Sequence, residues 1–579
     1  MITRFLLLIG NGSTPPIRVK DLRSAGLQCT FSSVAACLWS TPETPVIPVP
    51  GNGLVVGQLF NAQGEPITHA RAMGDIIGGL SDHLLQNCWG DYVALSVARE
   101  DERLVSLLRD PSGGVPCVHS LRNGRGFVTS DISLAVELGL YCRRVDWHSI
   151  AHGLHFPYRR TERTALLDIH ELLPGCALEI GPSHASVRTA WSPWKFVHDG
   201  IRHRDPIMAA EGIREAVSTV VNAYASTDHR FIVQLSGGLD SSIVASCLRG
   251  MSAEPMFCSL VMPVEGTDER PYARLVTDAM QHELVSVPVG FDDVRIDVPT
   301  APSSVVPATG MLQHATSAAW DSVGAANGTS TFYTGGGGDS IFCYLQTAAP
   351  AADAYLERGI TAGAVAVRDL STLHECTIWK AGRLARRKIE AFESGVRRGW
   401  TVDQSLLSAD ALEMVELPHP WLDTPPGSFP GDCEKVHDLI GTQLYMHATW
   451  APNRRVRRPL LSQPVMEACL RVPSWMWIAG GRDRAVARDA FKDTLPKAIL
   501  ARRSKGSYAG YLATAYARNK TQIREFLMEG ELRAAGLLDP VAMSGFFTSE
   551  FAPRTMPFIR AFDLCTAENW IRNQAHRDG

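Results

Sequence analysis

Three serines, two glycines and an aspartate stand together in one short segment of the chain, Ser236–Ser242 (SGGLDSS). Hydroxyl groups and glycine N–H groups bind phosphate oxygens well, because glycine has no side chain to keep a ligand away from the backbone. The segment differs from the GxxxxGK[ST] phosphate loop and lacks its lysine, which disfavours the chemistry of ordinary phosphate-loop NTPases. We predict that it is an anion site that suits a phosphate group.

A second glycine-rich segment, Gly335–Asp339 (GGGGD), follows the short apolar run Thr331–Thr334. Four consecutive glycines after a strand form another backbone cradle, with Asp339 beside it. Mg²⁺ prefers carboxylates together with phosphate oxygens and water. We therefore predict that Asp240 in the first segment and Asp339 in the second hold Mg²⁺.

Strands and helices that alternate along the chain must position these two segments. Residues 231–235 are apolar and predict a strand, and the apolar spacing after Ser241 predicts a helix that stops at Gly250. Residues 255–261 and 282–288 predict two further strands. This alternation predicts an α/β fold with a doubly wound parallel sheet, in which ligands bind at the carboxyl ends of the strands.

The first part of the chain has a different texture, with short strands separated by turn residues. The run Phe5–Ile9 predicts a first strand, and residues 91–98 and 103–108 predict a hairpin. Strand-rich content favours stacked antiparallel sheets. We predict two domains, over residues 1–205 and 206–579, joined by the aromatic and basic segment 191–205.

Length and composition narrow the class of protein. A chain of 579 residues is too long for one hydrophobic core, which favours two domains or three. The net charge of −4 gives no reason to expect nucleic acid as a partner. Thirteen cysteines without a CxxC pair indicate a reducing cytoplasm. No run approaches the ~18 apolar residues of a membrane span, so we expect a cytoplasmic protein without a membrane partner.

The two halves resemble known families. The SGGLDSS segment resembles the SGGxDS loop of ATP pyrophosphatases, which bind ATP and release pyrophosphate. Ahead of it, the order GDY, RDPSGGVP and LLPGCALEI is similar to the glutaminase domain of class II amidotransferases, as fused in asparagine synthetases. The resemblance implies an N-terminal glutaminase-like (Ntn-type) stacked-sheet domain, followed by an ATP-pyrophosphatase synthetase domain.

The glutaminase nucleophile of that family is a cysteine at the mature N-terminus, whose α-amine serves as base. This chain begins Met1-Ile2-Thr3, and its first cysteine is Cys29. We therefore expect a degenerate glutaminase fold without glutaminase activity. Free cysteines are commonly buried, and neither Cys29 nor Cys37 lies in an activating motif, so we predict that both are core residues.

The resemblance to asparagine-synthetase-like enzymes also implies a set of site residues. The implied catalytic residues are Asp240, Asp339 and Lys505, the last in a segment (495–507) where the family's lysine touches pyrophosphate and the reacting carbonyl. The residues implied to bind ATP are Leu235, Ser236, Gly237, Gly238, Leu239, Asp240, Ser241, Ser242, Leu260, Gly335 and Gly336. Four arginines could bind either polyphosphate or a substrate carboxylate, and the sequence leaves that choice open: Arg454, Arg455, Arg457 and Arg458.

The runs GGGGDSIFC, RPLLSQP and SWMWIAGGRDRAVAR look most like those of bacterial lasso-peptide macrolactam cyclases. That resemblance implies a precursor peptide as substrate, ATP and Mg²⁺ as cofactors, and a leader peptidase and a leader-recognition protein as partners. The enzyme would adenylate an Asp or Glu side chain, which the peptide's N-terminal amine then attacks. A β-lactam synthetase-like or ammonia-dependent asparagine synthetase-like ligase is the alternative, and a non-catalytic scaffold with a relic nucleotide site is a second one.

Overall fold

Two antiparallel sheets form the first part of the chain in the computed structural model, which describes residues 3–10, 18–50, 52–73, 76, 79–308, 310–395, 400–413, 417–446, 454–503, 508–549 and 556–575. Their strands are β1 (Phe5–Ile9), β2 (Gln28–Ser32), β3 (Ala36–Ser40), β4 (Val46–Val49), β5 (Gly53–Asn61), β6 (Pro66–Ile67), β7 (Cys88–Val97), β8 (Val105–Arg109), β9 (Val118–Arg122), β10 (Arg125–Thr129), β11 (His170–Glu171), β12 (Cys176–Ile180) and β13 (Ala185–Thr189). The helices among them are α1 (Val19–Ser24), α2 (Leu80–Asn87), α3 (Ile132–Glu137) and α4 (Trp147–His155).

The two sheets pack face to face. One has the strand order β11-β9-β10-β1-β3-β2, and the other has the order β13-β12-β8-β7-β5-β4 with β6 paired to β5. Because side chains alternate along a strand, Leu7 of β1 points into the space between the sheets, where it meets Val56 of β5 and Leu95 of β7 in one buried cluster. The predicted stacked-sheet fold is confirmed, as is the hairpin, which β7 and β8 form.

A five-stranded parallel sheet organises the second part of the chain. Its strands are β14 (Arg230–Gln234), β15 (Glu254–Val261), β16 (Leu284–Pro288), β17 (Thr331–Thr334) and β18 (Arg455–Arg457). The helices of this part are α5 (Pro206–Thr227), α6 (Leu239–Ser246), α7 (Arg270–Met280), α8 (Met311–Ala326), α9 (Gly338–Ile341), α10 (Ala349–Arg358), α11 (Ile360–Leu373), α12 (Ile378–Glu393), α13 (Ala409–Leu412), α14 (Pro430–Met446), α15 (Gln463–Leu470), α16 (Ala485–Ala490), α17 (Lys497–Ala501), α18 (Ala509–Met528), α19 (Glu531–Ala534), α20 (Pro540–Thr548) and α21 (Phe558–Ala575).

The strand order of this sheet places its ligand edge. The order is β16-β15-β14-β17-β18, so the direction in which strands are added reverses between β14 and β17. Trp320 of α8 packs on one face of the sheet against Ile232, and Val233 faces the cluster that holds α5 and α6 on the other face. The predicted doubly wound sheet is confirmed. Its loops after β14 and β17 diverge at the reversal point and leave a crevice between them.

Aromatic and charged side chains join the two parts of the chain. Phe60 of β5 stacks on Trp89 of β7, and Tyr224 of α5 presents an edge to both rings. Arg457 of β18 is 2% exposed and pairs with Asp228 of the second part and with Asp91 of the first. The stacked sheets therefore contact the second part of the chain at α5 and at the edge strand β18.

Two expectations from the sequence need correction. Cys29 is exposed because it lies on the edge strand β2. Cys37 is half-buried because it lies on the face of β3 opposite to Ala36 and Leu38, which pack between the sheets. Helix α6 ends at Ser246, and Gly250, with φ of +76°, closes the turn that follows. The segment 191–205, which we predict to connect the two domains, is anchored to the second part of the chain, since the indole N–H of Trp194 donates to the carbonyl of Trp421 at 2.8 Å. The predicted domain limits themselves stay a prediction.

Across the described ranges, no helix has both the length and the apolar character that crossing a membrane requires.

Candidate functional site

The loop between β14 and α6 is held by its own serines. The backbone N–H of Ser236 donates to Oγ of Ser241 at 3.1 Å, and the two hydroxyl oxygens lie 3.0 Å apart. Ser242 donates from Oγ to the carbonyl of Gly238 at 2.7 Å. These bonds curl the loop at the start of α6, where free N–H groups and the helix dipole favour an anion.

Gly237 is the tightest point of this loop. Its φ of +65° suits glycine, and a Cβ at this position would lie 2.7 Å from Cβ of Tyr272 on α7. Arg502 fixes the turn, because it donates to the carbonyl of Gly237 at 3.0 Å and pairs in bidentate fashion with Glu269 at 2.6 and 2.7 Å. The guanidinium carbon of Arg502 also lies 3.8 Å from the ring centre of Tyr272. The loop is thus built on a preformed, charge-paired support.

The two aspartates predicted to hold metal meet at one arginine. The Nη1 atom of Arg484 donates to Oδ1 of Asp339 at 2.9 Å and to Oδ1 and Oδ2 of Asp240 at 3.2 and 3.3 Å. Burial alone would lower the pKa of Arg484, but the neighbouring carboxylates Asp240, Asp483 and Asp339 raise it above its usual value. A cation therefore already bridges the two carboxylates.

This donor set fits Mg²⁺. Asp240 is buried, whereas the side chain of Asp339 is 58% exposed and open to a ligand. The described residues contain no cluster of three or more His, Cys, Asp or Glu side chains that could hold a metal ion alone. Two carboxylates completed by phosphate oxygens and water are the environment that Mg²⁺ takes at nucleotide sites. Asp240 and Asp339 would hold the ion, which would supply charge neutralisation for the phosphates.

Glycine is required where the two loops touch. A Cβ on Gly335 would lie 2.4 Å from the backbone nitrogen of Ser241, and a Cβ on Gly338 would lie 2.4 Å from Cγ of Asp240. Gly336 differs, because its nearest neighbour, Cγ2 of Thr334, would be 3.5 Å away. The glycine run therefore serves close packing of the loops at Gly335 and Gly338, and leaves a bare wall at Gly336.

A cavity of about 260 Å³ opens between these loops. The predicted site residues that line it are Leu235, Ser236, Asp240, Ser241, Leu260, Gly335, Gly336 and Asp339. Four of the predicted residues do not line it: Gly237, Gly238, Leu239 and Ser242. The structure thus brings most of the predicted nucleotide-binding residues to one place.

Two more cavities adjoin this one through shared walls. A cavity of about 360 Å³ shares Thr334, Gly336 and Gly337 with the first. A larger one of about 700 Å³ lies between the stacked sheets and the parallel sheet, and it shares Arg454 and Arg458 with the second. The three cavities therefore form a series that runs from the glycine-rich loops towards the N-terminal sheets.

One predicted site residue lies outside the described part of the chain, and three residues at the site were not predicted from the sequence. Lys505 lies outside the described residues, so its predicted role stays a prediction. Arg484 and the pair Arg502–Glu269 were missed. Arg484 precedes α16 and is 145 positions from Asp339, and no motif in its surroundings signals such a contact.

Comparisons with known proteins complete the description. No curated protein matches the chain. Among solved structures, a glutamine phosphoribosylpyrophosphate amidotransferase from B. subtilis, complexed with ADP and GMP, is 12% identical with a TM-score of 0.22, over 57% of this chain and 90% of its own. A second structure, of the allosteric regulatory enzyme of purine biosynthesis, is 10% identical with a TM-score of 0.20, over 57% of this chain and 84% of its own. Scores of this size support no inference.

The family comparison is decisive, because it covers more than half of the chain. The model of the asparagine synthase family matches residues 212–425 and 436–572. Both glycine-rich loops, Arg484 and the arginines of β18 fall inside these ranges. The chain therefore belongs to the asparagine synthase family, a family of ATP-dependent ligases that form amide bonds.

Proposed function

We propose that the protein closes a macrolactam ring in a ribosomally made lasso peptide. A side-chain carboxylate of Asp or Glu attacks the α-phosphorus of the substrate ATP, which forms the acyl-adenylate and releases pyrophosphate. The N-terminal amine of the same peptide attacks the acyl carbon, the amide bond forms, and AMP leaves while the amine loses a proton. The peptide becomes lighter by one water.

The bridge from Arg484 to Asp240 and Asp339 is the observation that carries this proposal. It brings two carboxylates and one cation to the crevice between two glycine-rich loops. Such a combination suits a metal-bound polyphosphate, because the carboxylates hold the metal while the guanidinium and backbone N–H groups meet phosphate oxygens. The family's use of ATP supports the same interpretation.

The chain's own residues have distinct parts in the proposed reaction. Ser236 and Ser241 line the cavity and offer hydroxyls to phosphate oxygens. Arg484 exchanges its carboxylate partners for the departing pyrophosphate, whose charge it stabilises. Lys505 is proposed to stabilise charge that develops on the reacting acyl group. The attacking α-amine has an ordinary pKa near ~8, so it needs little help from a base at neutral pH.

A bulky acyl substrate is supported by the wall at Gly336. Its position borders both the nucleotide cavity and the cavity of about 360 Å³, and it carries no side chain to separate them. An acyl chain can therefore approach the α-phosphate from the second cavity. Such an opening suits a peptide better than free aspartate. A leader peptidase and a leader-recognition protein are the proposed partners, because the N-terminal amine must be freed before ring closure.

Incubation with ATP, Mg²⁺ and a leader-cleaved peptide tests the proposal. We expect AMP, pyrophosphate and a product lighter by one water, measured by chromatography and mass spectrometry. Acetylation of the peptide's N-terminus should stop ring formation, because it removes the nucleophile.

Other outcomes would overturn the proposal in distinguishable ways. Conversion of free aspartate and ammonia to asparagine would make the protein an ammonia-dependent synthetase, and turnover of a small amino acid to a β-lactam would place it with β-lactam synthetases. Biological activity that survives both Asp240→Asn and Asp339→Asn would identify a non-catalytic scaffold.

A further inference from the structure

Four arginines lie close together at and beside β18, and three of them are already engaged. Arg454 donates from Nε to Oδ1 of Asp321 at 2.8 Å, and Arg455 pairs with Oδ1 of Asp228 at 3.2 Å. Arg457 pairs with Asp228 at 2.9 Å and with Asp91 at 2.5 Å. These contacts assign the three guanidinium groups to the protein itself rather than to a ligand.

Arg458 differs from its neighbours. It is half-buried and lines both the cavity of about 700 Å³ and the cavity of about 360 Å³. Within the part of the chain that the structure describes, its guanidinium has no hydrogen bond and no ion pair. Asp91 is the acid whose field reaches it, and Asp91 is already bonded to Arg457.

Burial of the Arg458 guanidinium without a hydrogen-bond partner among the described residues costs free energy. It lowers the pKa of Arg458 to about 10, because the charged group loses hydration that the field of Asp91 offsets only in part. A desolvated guanidinium with five donors and no acceptor gains strongly from an incoming anion, particularly from a planar carboxylate that it can bind in bidentate fashion. The position therefore favours an anionic ligand in the cavity.

The position of Arg458 also indicates whether this anion is a phosphate of the nucleotide or another group. It does not line the nucleotide cavity, whereas Asp240 and Asp339 do. Its Cδ would lie 4.0 Å from a Cβ on Gly336, the residue at which that cavity meets the cavity of about 360 Å³. A group bound to Arg458 is thus next to the nucleotide but outside the loops that hold phosphate.

We propose that Arg458 binds the carboxylate of the acyl substrate, and that the junction of the two outer cavities is where this substrate enters. This inference rests on the proposed function only in so far as a carboxylate is activated here. It selects one of four arginines as the residue that determines specificity. An acidic side chain presented by a peptide is the ligand class that fits.

Binding of two matched peptides tests the assignment. The probes are acetyl-Gly-Asp-Gly-amide and acetyl-Gly-Asn-Gly-amide, which differ by one charge, measured by calorimetry on the full chain. We expect the wild-type protein to prefer the Asp peptide by about tenfold or more. Arg458→Met should abolish the preference, and Arg458→Lys should retain part of it. Arg230→Met, at an exposed pair with Glu254, should keep it.

Three results would overturn the assignment. They are equal binding of the two peptides by the wild-type protein, an intact preference in Arg458→Met, and weaker pyrophosphate binding in Arg458→Met with the peptide preference unchanged. The last would make Arg458 a phosphate ligand. Unchanged ATP binding and thermal unfolding of Arg458→Met separate loss of the site from loss of the fold.

A separate readout keeps this inference apart from the cyclase proposal. With a competent acyl substrate, Arg458→Met should raise the KM for that substrate about tenfold or more while the KM for ATP stays the same. If the Asp preference depends on Arg458 but no AMP forms from a leader-cleaved peptide, the carboxylate site stands and the cyclase function fails. If Arg458→Met closes the ring with an unchanged KM for the acyl substrate, the cyclase function stands and the carboxylate site fails.

Discussion

The guanidinium of Arg484 donates to the carboxylate of Asp339 across 2.9 Å, between two loops that are 145 positions apart in the chain. The same nitrogen reaches Asp240, so a single side chain cancels part of the repulsion between the two acids. Asp240 and Asp339 would hold a metal ion with oxygen atoms that in part also accept from Arg484. In the proposed reaction, Arg484 would exchange these carboxylates for phosphate oxygens.

Replacement of Arg484 tests that role. Arg484→Met should slow carboxylate-dependent ATP–pyrophosphate exchange by about 10- to 100-fold, because charge on the leaving pyrophosphate loses a preorganised donor. The matched control is Arg482→Met, two positions earlier, whose side chain is 43% exposed and pairs with exposed Asp489. Exchange that is equally fast in Arg484→Met and in the control would contradict the role.

The two carboxylates should govern the response to Mg²⁺. Asp240→Asn and Asp339→Asn should each reduce exchange by about 100-fold or more at moderate Mg²⁺, because an amide oxygen is a much weaker ligand for this ion. The Mg²⁺ concentration that gives half-maximal exchange should be higher for Asp339→Asn, at the exposed position, than for the wild-type protein. Asp489→Asn, at a surface pair, serves as control. A titration curve that stays in place for both site variants would exclude them as ligands.

Gly338 should be needed for the close packing of the two glycine-rich loops. Gly338→Ala places a Cβ 2.4 Å from Cγ of Asp240, and overpacking of this kind costs about 1–3 kcal/mol. Thermal unfolding should therefore begin at lower temperature. Gly212→Ala in α5 meets nothing within 4 Å and should leave the melting temperature unchanged or slightly higher. Equal melting of the two variants would show that the loops can separate freely.

Arg457 should stabilise the contact between the stacked sheets and the parallel sheet. Arg457→Met leaves Asp228 and Asp91 without their shared partner, and breaking a buried pair costs about 3–5 kcal/mol. Arg230→Met, at the exposed pair with Glu254, should cost less than about 1 kcal/mol. Urea unfolding followed by tryptophan fluorescence measures both. A midpoint for Arg457→Met that equals that of Arg230→Met would refute the prediction.

Stability should fall in acid because of His119. Burial, with a smaller contribution from His170, lowers the pKa of His119 to about 3, against about 6.5 in an unfolded chain. The unfolded chain therefore binds the proton first as pH falls below about 6.5, and stability is lost down to about pH 3. Between pH 7 and pH 5, the free energy of unfolding of His119→Gln should fall by about 2 kcal/mol less than that of the wild-type protein. Parallel pH curves for the two proteins would rule out this contribution.

Features set by residues that are close in the sequence could be predicted, whereas contacts between residues far apart in the chain could not. Strand β14, its loop and the glycine run after β17 could be predicted, because local spacing and backbone requirements determine them. The link from Arg484 to Asp339 could not, since it depends on where α16 packs. The exposure of Cys29 was also missed, because a strand pattern does not reveal whether a strand lies at the edge of its sheet.

The arginines of β18 illustrate the same limit. Four similar side chains within five positions looked equivalent as ligands, and only their tertiary partners separate them. Arg454, Arg455 and Arg457 find acids on three different elements, far away in the chain. Charge spacing in a sequence gives the number of cations, whereas folding decides which one remains available.

The buried position of Arg457 has a consequence for how this architecture can change over generations. Its guanidinium takes Asp91 from the stacked sheets and lies 4.0 Å from the ring centre of Tyr224 in the second half. A gene that lost the first half would expose this charge and the aromatic surface of Tyr224 together, and would need compensating substitutions at once. Shedding the N-terminal sheets is therefore no single step. Selection for a stable fold is therefore expected to retain the N-terminal sheets.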